Sequence, residues 1–290
     1  MYIRTQKADC GYIHNLIGEY MNKSDFTECF KKYGISEDDV CRNRLKIGGE
    51  EVEEIAVISP INAAADYKNV GACFTQLSDG FFPTYRIEKD GVKFTFVAFQ
   101  VGACNVCEVV CALAYSNCKK ILFTGTVGAI KEEFSIGDIV LPRYSMCGDG
   151  ATRYFTLGKV CDNNSTFGDK FYPDENLQSS LSAYLDGRDI KYSFANVFSI
   201  DTIVAQFFHI GEFLSRGADV LEMETAATFN AAKVFGLQAC ALFHVSDSTV
   251  EKKSLLGGRS KEEHELHRRT KLFTIPDLVC GFVKELKENK

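Results

Sequence analysis

The residues best suited to chemistry sit where short apolar runs end. ALFHVSDST, residues 241–249, is an apolar strand that delivers Ser246 and Asp247 to its carboxyl end. A carboxyl group behind so apolar a run is partly desolvated, which raises its pKa and suits it to donating a proton. The competing reading is an N-cap Asp that opens the next helix. In VLEMETAATFNAA, residues 220–232, Glu222 and Glu224 flank Met223 just ahead of a helical pattern. Carboxylates placed there can accept hydrogen bonds from sugar hydroxyls, although acidic residues also gather at helix N-termini for the dipole alone.

Three further strand ends offer binding groups. In FQVGACNVCEVVCALAY, residues 99–115, Gly102 ends a strand and a helix begins at once. Glycine there lets backbone N–H groups approach a ligand, and the helix N-terminus favours an oxygen; a plain strand–helix turn would look the same. In ILFTGTVGAIKEEFSIGDIVLP, residues 121–142, a strand runs into Thr124-Gly125-Thr126, with Gly128 after it. Thr126 offers both a hydroxyl and an N–H. In ANVFSIDTIV, residues 195–204, Phe198 emerges from a strand. An aromatic ring at that point either stacks on a base or fills the core.

Such residues act together only if the fold gathers strand ends. From residue 54 onward, runs with strand character (54–59, 92–100, 120–124, 139–141, 191–197, 239–245) alternate with helical patterns (105–117, 224–235 and 262–287). This alternation predicts a largely parallel sheet covered on both faces, with ligands bound beyond the carboxyl ends of its strands. Residues 1–47 read differently. They are polar, partly helical over 12–20 and 25–33, and end in the charged run 36–44. They are expected to form an extension packed on a main domain spanning 48–290.

Composition narrows the function. With 46% hydrophobic and 25% charged residues over 290 positions, the chain can bury a large core. Its net charge of −6 is spread evenly, with neither the basic stripe of a nucleic-acid binder nor a polybasic membrane segment. The longest apolar stretches are too short to span a bilayer, and MYIRTQKADC holds no apolar signal region, so a cytoplasmic location is expected. The twelve cysteines fit reduced thiols in that compartment. Cys104, Cys107, Cys111 and Cys118 recur at helix-face spacing, but no second Cys or His pair lies at zinc-ligand distance, so they read as small buried hydrophobes.

Taken in order, GTVGAI and IGDIVLP with the later GDGAT (148–152), then NVFSID, VLEMETAA and VSD, resemble the purine-nucleoside and uridine phosphorylase superfamily, which also contains the methylthioadenosine and AMP nucleosidases. The resemblance runs from about residue 54 to the C-terminus. It implies a three-layer α/β/α fold around a central mixed, largely parallel twisted sheet. It also implies cleavage of the N-glycosidic bond of a nucleoside, with a purine preferred because Asp247 is present, inorganic phosphate as co-substrate and no metal or organic cofactor. Carried over residue by residue, Asp247 assists the departing base and Ser246 orients it. Glu224 binds the ribose hydroxyls, Met223 packs beneath the sugar, Glu222 lies beside sugar and base, and Phe198 stacks on the base. Gly102 and Thr126 contact the nucleophile side. A homo-oligomer, dimer or hexamer, in which a neighbour completes each site, is implied as well.

The departures concern the nucleophile. In ISPINAAADY (58–67), Ala64 stands where the phosphorylases carry a phosphate-gripping arginine and the nucleosidases a water-activating glutamate; Phe123 stands at the second arginine position. Arg86 and Arg268 are therefore candidates for the phosphate side, with Asp66 and Arg259 as further substitutes. Arg268 also resembles a family arginine that moves towards the catalytic Asp. Hydrolysis on the same fold, and a non-catalytic nucleoside-binding or storage role, are the alternative readings.

Overall fold

The β-branched and aromatic runs become the strands of one ten-stranded sheet in a computed structural model that describes residues 21–156 and 166–288. In chain order the strands are β1 (Ile55–Ser59), β2 (Cys73–Ser78), β3 (Thr84–Lys89), β4 (Val92–Ala98) and β5 (Lys120–Ala129). They continue as β6 (Ile139–Gly148), β7 (Lys170–Phe171), β8 (Tyr192–Ile200), β9 (Val220–Glu222) and β10 (Gln238–Ser248). The helices are α1 (Lys23–Lys32), α2 (Glu37–Leu45), α3 (Ala103–Ala114), α4 (Glu175–Gly187), α5 (Ile203–Ser215), α6 (Thr225–Phe235), α7 (Lys261–Arg269) and α8 (Ile275–Glu288).

Strands β1, β4, β5 and β10 run parallel, and β6, β8 and β9 form a second parallel group. The groups join through antiparallel pairs, β10 with β6 and β9 with β5. Because β10 also pairs with β5, the path β5–β9–β8–β6–β10 returns to β5 and closes. Outside this circuit lie β1, β4 and the antiparallel pair β3 and β2 on one side, and the short β7 paired with β6.

Period-two alternation splits each central strand between two cores. Ala56 and Ile58, Ile121 and Phe123, and Ala241 and Phe243 join one cluster with α3 and α6. Ile55 and Val57, Leu122, and Cys240 and Leu242 join the other with α4 and α8. Since both faces are buried, these strands read as continuous apolar runs, which is why the sequence displays them clearly. The result is a three-layer α/β/α arrangement with a mixed sheet.

Four features were not legible locally. The β2–β3 hairpin and helices α4 and α5 fall in stretches with no assigned pattern, and β9 precedes what read as one helix from 224. The C-terminal stretch is two helices, α7 and α8, joined by a π-helical turn at Thr270–Thr274. The charged run 36–44 folds as α2 because Ser36 and Asp39 cap each other's backbone. Helices α1 and α2 share the main core: Cys41 and Leu45 are fully buried, and Phe26 packs 4.9 Å from Phe235. The expected helix at 12–20 lies outside the described residues. Among the described residues, no helix is long and apolar enough to cross a membrane, and no group of three or more His, Cys, Asp or Glu is placed to hold a metal.

Candidate active site

The site begins as a split along one edge of β5. Its first residues, Lys120–Phe123, pair with β1, whereas Gly128 and Ala129 pair with β9. Strand β1 stops at Ser59, whose Oγ donates to the Thr124 carbonyl at 2.8 Å and accepts from the Asn62 N–H at 3.0 Å, turning the chain away. A cavity of about 240 Å³ occupies the gap. Pro60 and Ile61 after β1, Val101 after β4, Thr126 on β5, Ile200 on β8, Glu222 at the end of β9 and Asp247 near the end of β10 all line it. Carboxyl ends of the strands thus converge as the α/β architecture requires.

Asp247 reaches this cavity through a bulge. The β5–β10 register slips between Val245 and Asp247, so Ser246 is an extra residue and strict alternation fails. Both Ser246 and Asp247 therefore face the cavity, a re-aiming of side chains that bulges supply next to functional sites. Ser246 Oγ donates to Asp247 Oδ1 at 2.6 Å, and the Leu255 N–H donates to Oδ2 at 3.2 Å. Burial pushes the Asp247 carboxyl above its ordinary pKa; the bonds from Ser246 and Leu255 and the charge of Arg259 pull the other way. Arg259 stays close because its Nη1 donates to the Ser246 carbonyl at 3.0 Å.

Glu222 and Glu224 share a wall but differ in their donors. Glu222 Oε2 accepts from the N–H groups of Glu224 and Thr225, each at 2.8 Å, and its Oε1 accepts from Ser199 Oγ. It therefore caps α6 from within, and three donors stabilise its charge. Glu224 Oε1 accepts from the Gly102 N–H at 2.6 Å, and the Met223 backbone N–H also acts on its carboxyl. Burial, and then the charge of Glu222, push the Glu224 carboxyl up to about 8. Beside Met223, Glu224 lines the cavity. Gly102 makes this contact possible with a φ of 113°, open to glycine alone.

A family sequence model described as the phosphorylase superfamily matches residues 53–276. The chain belongs to the phosphorylase superfamily. Among curated relatives of this superfamily chain is the DeoD-type purine nucleoside phosphorylase of Anoxybacillus flavithermus, 26% identical over 180 residues, 60% of this chain and 71% of that one. Uridine phosphorylase from Vibrio fischeri superposes with a TM-score of 0.66 at 14% identity, covering 82% of this chain and 93% of that one. AMP nucleosidase from Bacteroides thetaiotaomicron does so with a TM-score of 0.64 at 16% identity, covering 87% and 96%. The shared fold thus serves proteins named for phosphorolysis and for hydrolysis.

Within this superfamily fold, Asp247, Ser246, Glu222, Met223, Glu224 and Thr126 meet around one cavity. The other expected site residues stand elsewhere. Phe198 is 1% exposed and packs 4.4 Å from Phe213, in a core with Met146 and Leu221. Phe198 and Ile200, two residues apart, share one strand face and one apolar cluster; Ile200, nearer the strand end, lines the cavity, and Phe198 lies behind it against Phe213. The stacking role is therefore corrected: Ile200, Ile203, Leu221 and Leu255 supply the apolar wall. Gly102 spends its N–H on Glu224 and serves the site through that residue. Arg86 pairs with Glu53 at 3.2 Å. Its strand neighbour Thr95 lies beside Ala56 at the start of β1, the end of the sheet opposite the cavity. Arg268 is solvent-exposed and pairs with Glu265 at 2.8 Å, so neither arginine serves the cavity. The arginine that approaches Asp247 is Arg259.

Ala64 is buried in a short 3₁₀ turn, Phe123 is core, and Asp66 is spent on the Ala63 N–H at 2.8 Å. Among the polar residues lining the cavity, Gln206 on α5 and the pair His267 and Lys271 escaped sequence reasoning. His267 and Lys271 lie on the C-terminal helical stretch, where an exposed face and an inward face look alike in so polar a sequence.

Proposed function

We propose that the chain cleaves the N-glycosidic bond of a purine nucleoside, with phosphate as the acceptor. One observation carries this reading: a buried carboxyl, Asp247, held by Ser246 and Leu255, shares a cavity with Met223 and the carboxyl of Glu224. A ribose lying on Met223 would donate a hydroxyl hydrogen to Glu224 Oε2. The base would lie along Ile200, Leu221 and Leu255 with its five-membered ring towards Asp247.

As the bond between C1′ and the base nitrogen breaks, its electron pair passes to the base and positive charge develops on the sugar. Asp247, biased by burial towards its protonated form, donates a hydrogen to the base so that negative charge does not accumulate there. A phosphate oxygen then bonds to C1′, giving free base and ribose 1-phosphate.

Hydrolysis is the second reading, favoured by the absence of any arginine among the described residues lining the cavity. Release of base measured with and without phosphate separates the two. Phosphate-dependent formation of ribose 1-phosphate supports the proposal; equal release without phosphate replaces it with a nucleosidase. Binding without turnover would mean a nucleoside-binding protein. We also infer a homo-oligomer, dimer or hexamer. Val101 and Leu255 line the cavity yet are exposed, and α5, which lines it through Ile203 and Gln206, exposes Val204 and Phe208. Sedimentation of the full chain tests this.

A further inference from the structure

Lys271 lines the cavity, and no carboxylate among the described residues is paired with its ammonium group. Its position is built in. In the π-helical turn the Ile275 N–H bonds to the Thr270 carbonyl, five residues back. The next donor in either helical ladder would be residue 276, a proline with no N–H, so the carbonyls of Lys271 and Leu272 lose their helical partners. Asn62 Nδ2 donates to the Lys271 carbonyl and Asn69 Nδ2 to that of Leu272, each at 3.1 Å. Two amides from the segment after β1 thereby hold this turn against the loop that contributes Pro60 and Ile61 to the cavity.

His267, one turn earlier and also lining the cavity, is oriented from behind. Its Nδ1 lies 3.1 Å from Nε2 of His244, and the rings stack at 5.0 Å. His244 is fully buried on β10 opposite Thr126, and its Nδ1 has no hydrogen-bond partner. A bare buried lone pair is tolerated more readily than an orphaned buried N–H. This assigns the hydrogen of His244 to Nε2, where it donates to His267 Nδ1. His267 then carries its own hydrogen on Nε2, the ring nitrogen left to the cavity. Burial, together with neighbouring positive charges, pushes His244 down to about 3 and His267 down to about 4, so both rings are neutral near pH 7.

We infer that Lys271 and His267 form the oxyanion subsite on the nucleophile side, the ammonium supplying charge and the Nε2–H a directed hydrogen bond to a phosphate oxygen. This inference takes phosphate as the acceptor from the function proposed above. It also places a cation in a cavity that no arginine lines among the described residues: Lys271 arrives from the C-terminal helical stretch and is held by Asn62 of the loop after β1. Asn62 and Asn69 are positioning residues.

The test is calorimetric titration of the full chain with inorganic phosphate, with and without a purine nucleoside. Wild type, Lys271→Met, Lys271→Arg and His267→Asn are compared, with nucleoside KM measured alongside. Loss of a charge-assisted bond predicts phosphate binding weakened at least about tenfold in Lys271→Met, with partial recovery in Lys271→Arg. Nucleoside KM and the thermal midpoint should stay near wild type, which a general structural defect would move. Unchanged phosphate affinity in Lys271→Met, or no phosphate binding by the wild type, overturns the subsite. Loss of affinity for a nucleoside 5′-monophosphate with inorganic phosphate unaffected also overturns it, moving Lys271 to the 5′ end. If base release proves independent of phosphate while Lys271→Met still abolishes phosphate binding, phosphorolysis fails and the subsite stands.

Discussion

Gly128 and Asp247 face each other across the β5–β10 ladder at a separation too tight for a side chain without a shift: a Cβ on residue 128 would lie 3.2 Å from both carboxylate oxygens of Asp247. Glycine on β5 and the bulge at Ser246 together seat the carboxyl against the strand. Gly128→Ala is therefore expected to shift Asp247 by a few tenths of an ångström and lower kcat about tenfold, since small misplacements of catalytic groups are costly. Steady-state kinetics with a thermal-melt control read this out. Wild-type kcat in the alanine variant would show that the carboxyl has room to spare.

Asp247→Asn keeps the shape and the acceptor for the Leu255 N–H but removes the acidic hydrogen. Turnover of a purine nucleoside should fall at least about a hundredfold, the usual scale for a lost general acid. Near-normal turnover would remove Asp247 from the mechanism.

The Glu224 carboxyl is pushed from an ordinary 4.5 up to about 8 by burial and by Glu222. Between those values the native state holds a proton that the unfolded chain has lost, so stability falls as pH rises through that window. Glu224→Gln mimics the protonated acid and keeps an acceptor for Gly102. Its melting temperature relative to wild type should rise steadily from pH 5 to pH 8. A constant difference over that range would mean Glu224 is ionised throughout.

The same Glu224→Gln variant tests the sugar contact. Ribonucleosides should lose more kcat/KM than 2′-deoxyribonucleosides if the 2′ hydroxyl is the partner. Equal losses would assign Glu224 to another group of the substrate.

Phe198 belongs to the core behind the cavity. Phe198→Ala should cost about 3–5 kcal/mol of stability, as for other large buried aromatics. The milder Phe198→Leu should leave nucleoside KM unchanged in the folded enzyme. A large rise in KM for Phe198→Leu at an unaltered melting temperature would restore the stacking role.

The central strands and the helices that follow them were legible because each buries both faces or one continuous stripe, and burial writes a local period into the sequence. The hairpin β2–β3 was not, since β2 is largely exposed and carries no such period. Glu222, Met223 and Glu224 were recognisable as a cluster, yet their division of labour was not: Ser199, 23 positions from Glu222, takes part in deciding which carboxylate is spent on capping.

By itself the sequence determined that strands alternate with helices, that Asp247 and the glutamates stand at strand ends, and that the motifs follow one family's order. Those are properties of short segments, set by local burial and backbone preference. Tertiary structure decided which side chains enter the cavity. A bulge turned Asp247 inward, packing against Phe213 kept Phe198 in the core behind the cavity, and sheet position sent Arg86 to the far end. The bond from Asn62 to Lys271 joins residues 209 positions apart. Contacts of that separation leave no local period to read, because they arise only when the closed sheet brings the C-terminal turn against the loop after β1.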